Sequence, residues 1–225
     1  MFRDRVDAGR QLAERLTEYA GRGDVLVLGV PRGGVPVAFE IAQALGVPLD
    51  ILIVRKLGTP GQRELAMGAI ASGGVRILNE EVIRDLAISD DQLAAAIAEQ
   101  ETELQRREQL YRGLRSGVSV QGKIAILVDD GIATGSSMLA AIAALRALQP
   151  KKIVVATPVA PPHALGQIKP VADDFVCVDM PEGFFGISEF YDSFPQIEDS
   201  EVSALLNRAT ETAAALRKTE KRGVA

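Results

Sequence analysis

Five short apolar runs separated by helical stretches constrain this chain more than any other feature. Val25-Leu26-Val27-Leu28-Gly29-Val30, Leu49 to Val54, Ile124 to Val128, Lys152 to Thr157 and Asp174 to Asp179 each have the length of one strand. Nearly continuous apolar runs of that length belong to strands covered on both faces, the usual situation in a parallel sheet. Their alternation with helical segments predicts an α/β fold: an open, mostly parallel twisted sheet flanked by helices. The 225 residues suit a single domain over 1–225.

Local signals place the helices. An opening helix from about Asp4 to Tyr19, within an N-terminal segment 1–22, puts Val6, Leu12, Ala13 and Leu16 on its inner stripe. Gly46 suits a left-handed C-cap after the second helix. Asn79 caps a short helix, and Ser89-Asp90-Asp91-Gln92 has capping-box spacing for a longer one reaching about Arg112. Residues 79–114 therefore read as a helical insertion, with Glu99, Glu101, Glu103, Arg106, Arg107 and Glu108 on a solvated face. Pro150 stops a helix running from about Ser137 to Leu148, and an alanine-rich helix spans about Ser200 to Lys218. Segment 57–75 holds five glycines and Pro60. It reads as a flexible loop with a short hairpin around Ala66 to Ile70 and Val75 to Leu78.

Composition excludes several classes. A net charge of -5, from 25 basic and 30 acidic residues, argues against a partner such as duplex DNA, whose binders carry a basic stripe. The apolar runs fall far short of the ~20 residues that span a membrane, and the first residues show no secretory signal. One cysteine, Cys177, gives no disulfide framework and fits a cytoplasmic setting. It lies in an apolar strand and reads as core packing. The only histidine, His163, follows Pro161-Pro162 at a helix start and reads as a surface or capping residue.

Ligands of open parallel sheets collect outside the carboxyl ends of the strands. Three features fall there: Pro31-Arg32-Gly33-Gly34, Arg55-Lys56, and Asp129-Asp130-Gly131-Ile132-Ala133-Thr134-Gly135-Ser136-Ser137. In the third, a strand delivers two carboxylates to its tip and a turn of small residues leads into a helix. The amides of Ala133 to Ser137, at the positive end of the helix dipole, form a cradle for an oxyanion such as a phosphomonoester. The Thr134, Ser136 and Ser137 hydroxyls add donors. Two carboxylates repel that phosphate, so Asp129 and Asp130 serve vicinal hydroxyls or a metal. Ribose 5-phosphate offers a phosphate and a diol on one molecule.

The segment Ile126 to Ser137 resembles the 5-phosphoribosyl-1-pyrophosphate (PRPP) signature of type I phosphoribosyltransferases. That resemblance, covering residues 24 to about 195, implies the type I fold with a C-terminal hood at 180–197. It implies that Asp129 and Asp130 hold the ribose diol and Ala133 to Ser137 the 5-phosphate. Gly29 to Gly34 is similar to the pyrophosphate loop, in which a backbone amide, often beside a cis peptide, meets the leaving group. Arg32, Gly33, Arg55, Lys56 and, from the 57–75 loop, Arg63 would then face pyrophosphate. Phe184 or Phe185 would stack on a base, as in purine-type members, and Asp179 or Asp192 would contact base or metal.

The activity implied is transfer of the phosphoribosyl group from PRPP to a nucleobase-type nitrogen, with release of pyrophosphate, assisted by Mg²⁺ on Asp129, Asp130 and Asp192. A homodimer is also implied. Ala133 departs from the pattern, because 6-oxopurine members carry an aspartate there. Two further readings stay open at this point: a PRPP-binding regulator without turnover, and a hydrolase or phosphorylase acting on another phosphosugar.

Overall fold

The computed structural model describes residues 1–113 and 115–222, with side chains described except at residues 63–64 and 213–222. Five parallel strands form the main sheet: β1 (Val25–Gly29), β2 (Leu49–Ile51), β6 (Ile124–Val128), β7 (Lys152–Val159) and β8 (Asp174–Asp179), in the order β2-β1-β6-β7-β8. Between β2 and β6 come β3 (Val54–Thr59), β4 (Gln62–Ala71) and β5 (Val75–Leu78), an antiparallel sheet of their own. The helices are α1 (Arg5–Glu14), α2 (Gly34–Leu45), α3 (Glu80–Asp85), α4 (Asp90–Arg112), α5 (Ser136–Ala147), α6 (Pro162–Ile168) and α7 (Asp199–Arg222).

Strand alternation sorts the core into two layers, because successive side chains leave a strand on opposite faces. Val25 and Val27 of β1, Ile124 and Ile126 of β6, and Val154 of β7 pack against Leu12 of α1 and Val37 and Ile41 of α2. Their neighbours Leu26, Leu28, Ala125, Leu127, Ile153 and Val155 pack against Met138 and Ile142 of α5 and Ala164 of α6. Cys177 lies in that second layer, where burial pushes its thiol up to about 11. His163 is exposed near the start of α6.

Segment 57–75 corrects the sequence reading. It is the antiparallel sheet β3 to β5 rather than a loop carrying one hairpin. The glycines that suggested a loop are partly turn residues (Gly61, Gly73, Gly74), but Gly68 is inside β4, where a Cβ would sit 2.3 Å from the Ile77 carbonyl oxygen. Buried Leu57, Met67 and Ile70 join Leu104 and Tyr111 of α4 and Val202 and Leu206 of α7 in a third core. The second apolar run is split as well: β2 stops at Ile51, and Val54 opens β3. Arg55 and Lys56 therefore belong to the small sheet and not to a tip of the parallel one.

The caps at Asn79 and Gly46 and the Ser89–Gln92 capping box form as read. Helix α1 ends earlier than expected, at Glu14, and its buried stripe is Arg5, Ala8, Gly9, Leu12 and Ala13. Val6 is exposed.

Candidate active site

Strand β6 ends at Val128, and Asp129 and Asp130 continue from its tip between the first turn and the hood. The turn after β1 lies directly on them. A Cβ on Gly33 would stand 2.0 Å from Asp130 Oδ2, and one on Gly34 would stand 2.5 Å from the Val128 carbonyl oxygen. Only glycine permits that approach. The peptide between Pro31 and Arg32 is cis. On the other side, Ile187 of the hood covers Gly131, with its Cγ2 2.4 Å from where a Cβ would be.

The chain then enters α5 through Gly135, which has φ +81° and acts as the N-cap without a side-chain cap. That left-handed conformation suits glycine. Ala133, Thr134, Ser136 and Ser137 are exposed around it, and the Ser136 N–H donates to Thr134 Oγ1 at 3.4 Å. The start of this 12-residue helix is thus ringed by exposed residues, three of them bearing hydroxyls. A helix start of this kind attracts anions.

The two acids differ. Asp129 is half-buried and one of its oxygens accepts from the Asp130 N–H at 2.9 Å. Burial, followed by the adjacent Asp130 charge, pushes its carboxyl well above the ordinary carboxylate range. Asp130 is buried, its Oδ2 accepts from Arg5 Nε at 2.7 Å, and its carbonyl accepts from the Tyr191 hydroxyl at 2.6 Å. The expected open pair of acids is therefore one accessible acid beside one held in an internal ion pair.

Residues 3–191 match the family described as phosphoribosyl transferase domain. The chain belongs to that family. A Mycobacterium tuberculosis protein provisionally named a phosphoribosyl transferase is 47% identical over 209 residues, covering 93% of this chain and 47% of its own length. The same match is found in two strains, so this chain spans about half the length of the curated relatives it matches. Among solved structures, the Thermus thermophilus protein TT1426 is 40% identical with a TM-score of 0.81, over 91% of this chain and 97% of that one. A purine phosphoribosyltransferase from Pyrococcus horikoshii is 21% identical with a TM-score of 0.44, over 86% of this chain and 92% of that one. That last likeness is too remote to inform the substrate.

Within this phosphoribosyl transferase domain, other expected site residues have other engagements. Arg55 donates from Nε and Nη2 to Gln100 Oε1 of α4, at 3.0 and 2.7 Å, because β3 lies under that helix. Lys56 is exposed. Arg32 lies 3.7 Å from Asp199, at the start of α7, and Asp199 also accepts the Tyr111 hydroxyl at 2.6 Å. Phe184 stacks on Phe190 at 5.4 Å within the hood, whereas Phe185 is 92% exposed. Asp192 is exposed, and its N–H is bound to the Phe2 carbonyl. The Arg63 side chain lies outside the described residues.

Among the described residues no cluster of three His, Cys, Asp or Glu could hold a metal ion. Mg²⁺ does not need one, since it keeps waters and binds through one or two carboxylates plus substrate phosphates. Asp129 fits that role better than Asp130, whose Oδ2 is on Arg5, or Asp192.

Sequence reasoning missed Arg5 and Tyr191, the two side chains that hold Asp130. For Arg5 a signal existed: it heads the stripe Arg5-Ala8-Gly9-Leu12-Ala13, a charge where helical spacing puts an apolar residue. Nothing local marked Tyr191.

Proposed function

We propose that this domain transfers the 5-phosphoribosyl group of PRPP to a nitrogen of a nucleobase-like acceptor, with release of pyrophosphate. The observation that carries the reading is the direct junction of an acid tip, packed against Gly33 and Gly34, with an uncapped helix start lined by Thr134, Ser136 and Ser137. Under this reading the amides of residues 133–137 take the 5-phosphate, and Asp129 and Asp130 face the sugar hydroxyls, Asp130 with its Oδ2 fixed by Arg5. Arg32, on the turn packed against the acid tip, supplies positive charge for the leaving pyrophosphate. Asp129 would be the residue to hold a Mg²⁺ ion, which when bound would supply positive charge against the negative charge developing on the leaving group. The base nitrogen attacks C1 with inversion through an oxocarbenium-like state, so the side chains act by placement and charge.

Incubation with PRPP, Mg²⁺ and a panel of nucleobases tests the proposal by pyrophosphate release. Release dependent on one base is the expected result, and Thr134→Ala and Asp129→Asn should each cost on the order of 3 kcal/mol in kcat/KM. No release and no PRPP binding would refute it.

The second reading, a PRPP-binding regulator without turnover, has its own support. Asp130 is neutralised by Arg5 and Arg32 is beside Asp199, so two charges that catalysis would use are already matched within the fold. PRPP binding without pyrophosphate release for any acceptor would decide for it.

A further inference from the structure

A guanidinium is a costly residue to bury, because all of its N–H groups must find partners away from water. Arg5 is 7% exposed, at the head of the packing stripe of α1. Its Nε donates to Asp130 Oδ2 and its Nη1 to the Pro195 carbonyl, both at 2.7 Å. Its Cζ lies 3.7 Å from the centre of the Phe194 ring. Tyr191, which donates to the Asp130 carbonyl at 2.6 Å, packs on the same Phe194 ring at 4.8 Å. One side chain thus joins α1, the acid tip and the hood.

An apolar residue would fill this stripe position at lower desolvation cost, and buried ion pairs are weak sources of stability. What the fork adds is orientation: two bonds in fixed directions, one to the carboxylate and one to the hood backbone. We infer that Arg5 is a positioning residue for the sugar-binding acids, setting the Asp130 carboxylate and the hood turn at Phe194-Pro195 in register with each other. The inference rests on the PRPP reading above. Arg5 acts through Asp130 and does not itself touch the substrate. Lysine, a point charge on a flexible stem, cannot reproduce both bonds at those angles.

The test uses the full chain as wild type, Arg5→Lys, Asp130→Asn and the double variant, with Arg5→Gln in place of Arg5→Lys should the lysine variant not fold. Calorimetric PRPP affinity in Mg²⁺, KM and kcat for PRPP, and Tm are read for each. The expected result is a rise in PRPP Kd and KM on the order of 100-fold for the Arg5 variant, with kcat of the folded enzyme changed much less. In the Asp130→Asn background the Arg5 substitution should add far less than it does alone, because the carboxylate it sets in register with the hood is already gone. A lowered Tm with PRPP KM within twofold of wild type would show a structural role only and overturn the inference. So would effects on KM that simply add. Wild type that binds no PRPP removes the site reading itself. Wild type that binds, with an Arg5 variant binding equally well, removes only the positioning role.

Discussion

At the residue scale the site depends on the absence of two side chains. Gly33 and Gly34 let the turn after β1 lie on the acid tip, and the space a methyl group needs is occupied by Asp130 and the Val128 carbonyl. Asp130 cannot swing aside readily, because Arg5 holds its carboxylate and Tyr191 its carbonyl. Gly33→Ala should therefore cost about 1–3 kcal/mol in stability, the range of overpacking a filled site. It should weaken PRPP binding more than the stability loss explains. Thermal melts and calorimetry on the same preparation check both. Asp129 differs in kind: burial and the neighbouring Asp130 charge disfavour its ionised form and raise its pKa. Carboxyls perturbed in this way gather where a ligand is bound.

At the element scale, the small sheet β3 to β5 and the helices α4 and α7 form a layer beside the main sheet. Asp199 fastens that layer to the turn after β1, accepting from Tyr111 of α4 and lying 3.7 Å from Arg32. The exposed Arg32 contact contributes little by itself. The Tyr111 bond is the stronger link, and burial with that bond pushes the phenol up to about 12. Tyr111→Phe should cost about 2 kcal/mol, the value of a bond to a charged group. It should also raise amide exchange in α4 and at the start of α7 before the main sheet is affected. Uniform exchange across both sheets would contradict this.

Legibility in the sequence varied by element for physical reasons. The parallel strands were readable because both faces are covered, which leaves unbroken runs such as Ile124 to Val128. The turn of residues 131–137 into α5 was readable because it is contiguous. The small sheet was hidden because Gly58 and Gly68 interrupt its strands, and Ile70, adjacent to buried Ala69 and Ala71, breaks the alternation that a half-covered strand shows. The state of Asp130 was out of reach, since its partners lie 125 residues before it and 61 after it. Charge pairing over such separations leaves no periodic trace.

At the scale of the whole molecule, acid stability follows from surface carboxylates held low. Arg22 holds Asp24 at about 2, and Arg106 and Arg107 hold Glu103 at about 2. A depressed folded pKa means the unfolded chain binds protons first. Their stabilisation is complete above pH about 4 to 5 and is lost as pH falls toward 2. Asp129 has the opposite sign: its raised pKa favours the fold below its titration and costs stability above it. Unfolding followed by circular dichroism should show stability falling between pH 4 and 2, and Glu103→Gln should flatten that limb. A steeper limb in the variant would contradict the assignment. Family membership bears on scale too: the curated relatives match over 47% of their own length, so a domain like this one accounts for about half of each.

The single thiol gives the fold a clock. Cys177 is 8% exposed, lies in the layer with Ala160, Ala164 and Ile168, and ionises only near 11. A disulfide reagent at neutral pH therefore modifies it only during moments when α6 or the β8 edge lifts away. Its labelling half-time reports how often this side of the domain breathes. A ligand seated at the start of α5, next to α6, should lengthen that time in proportion to its occupancy.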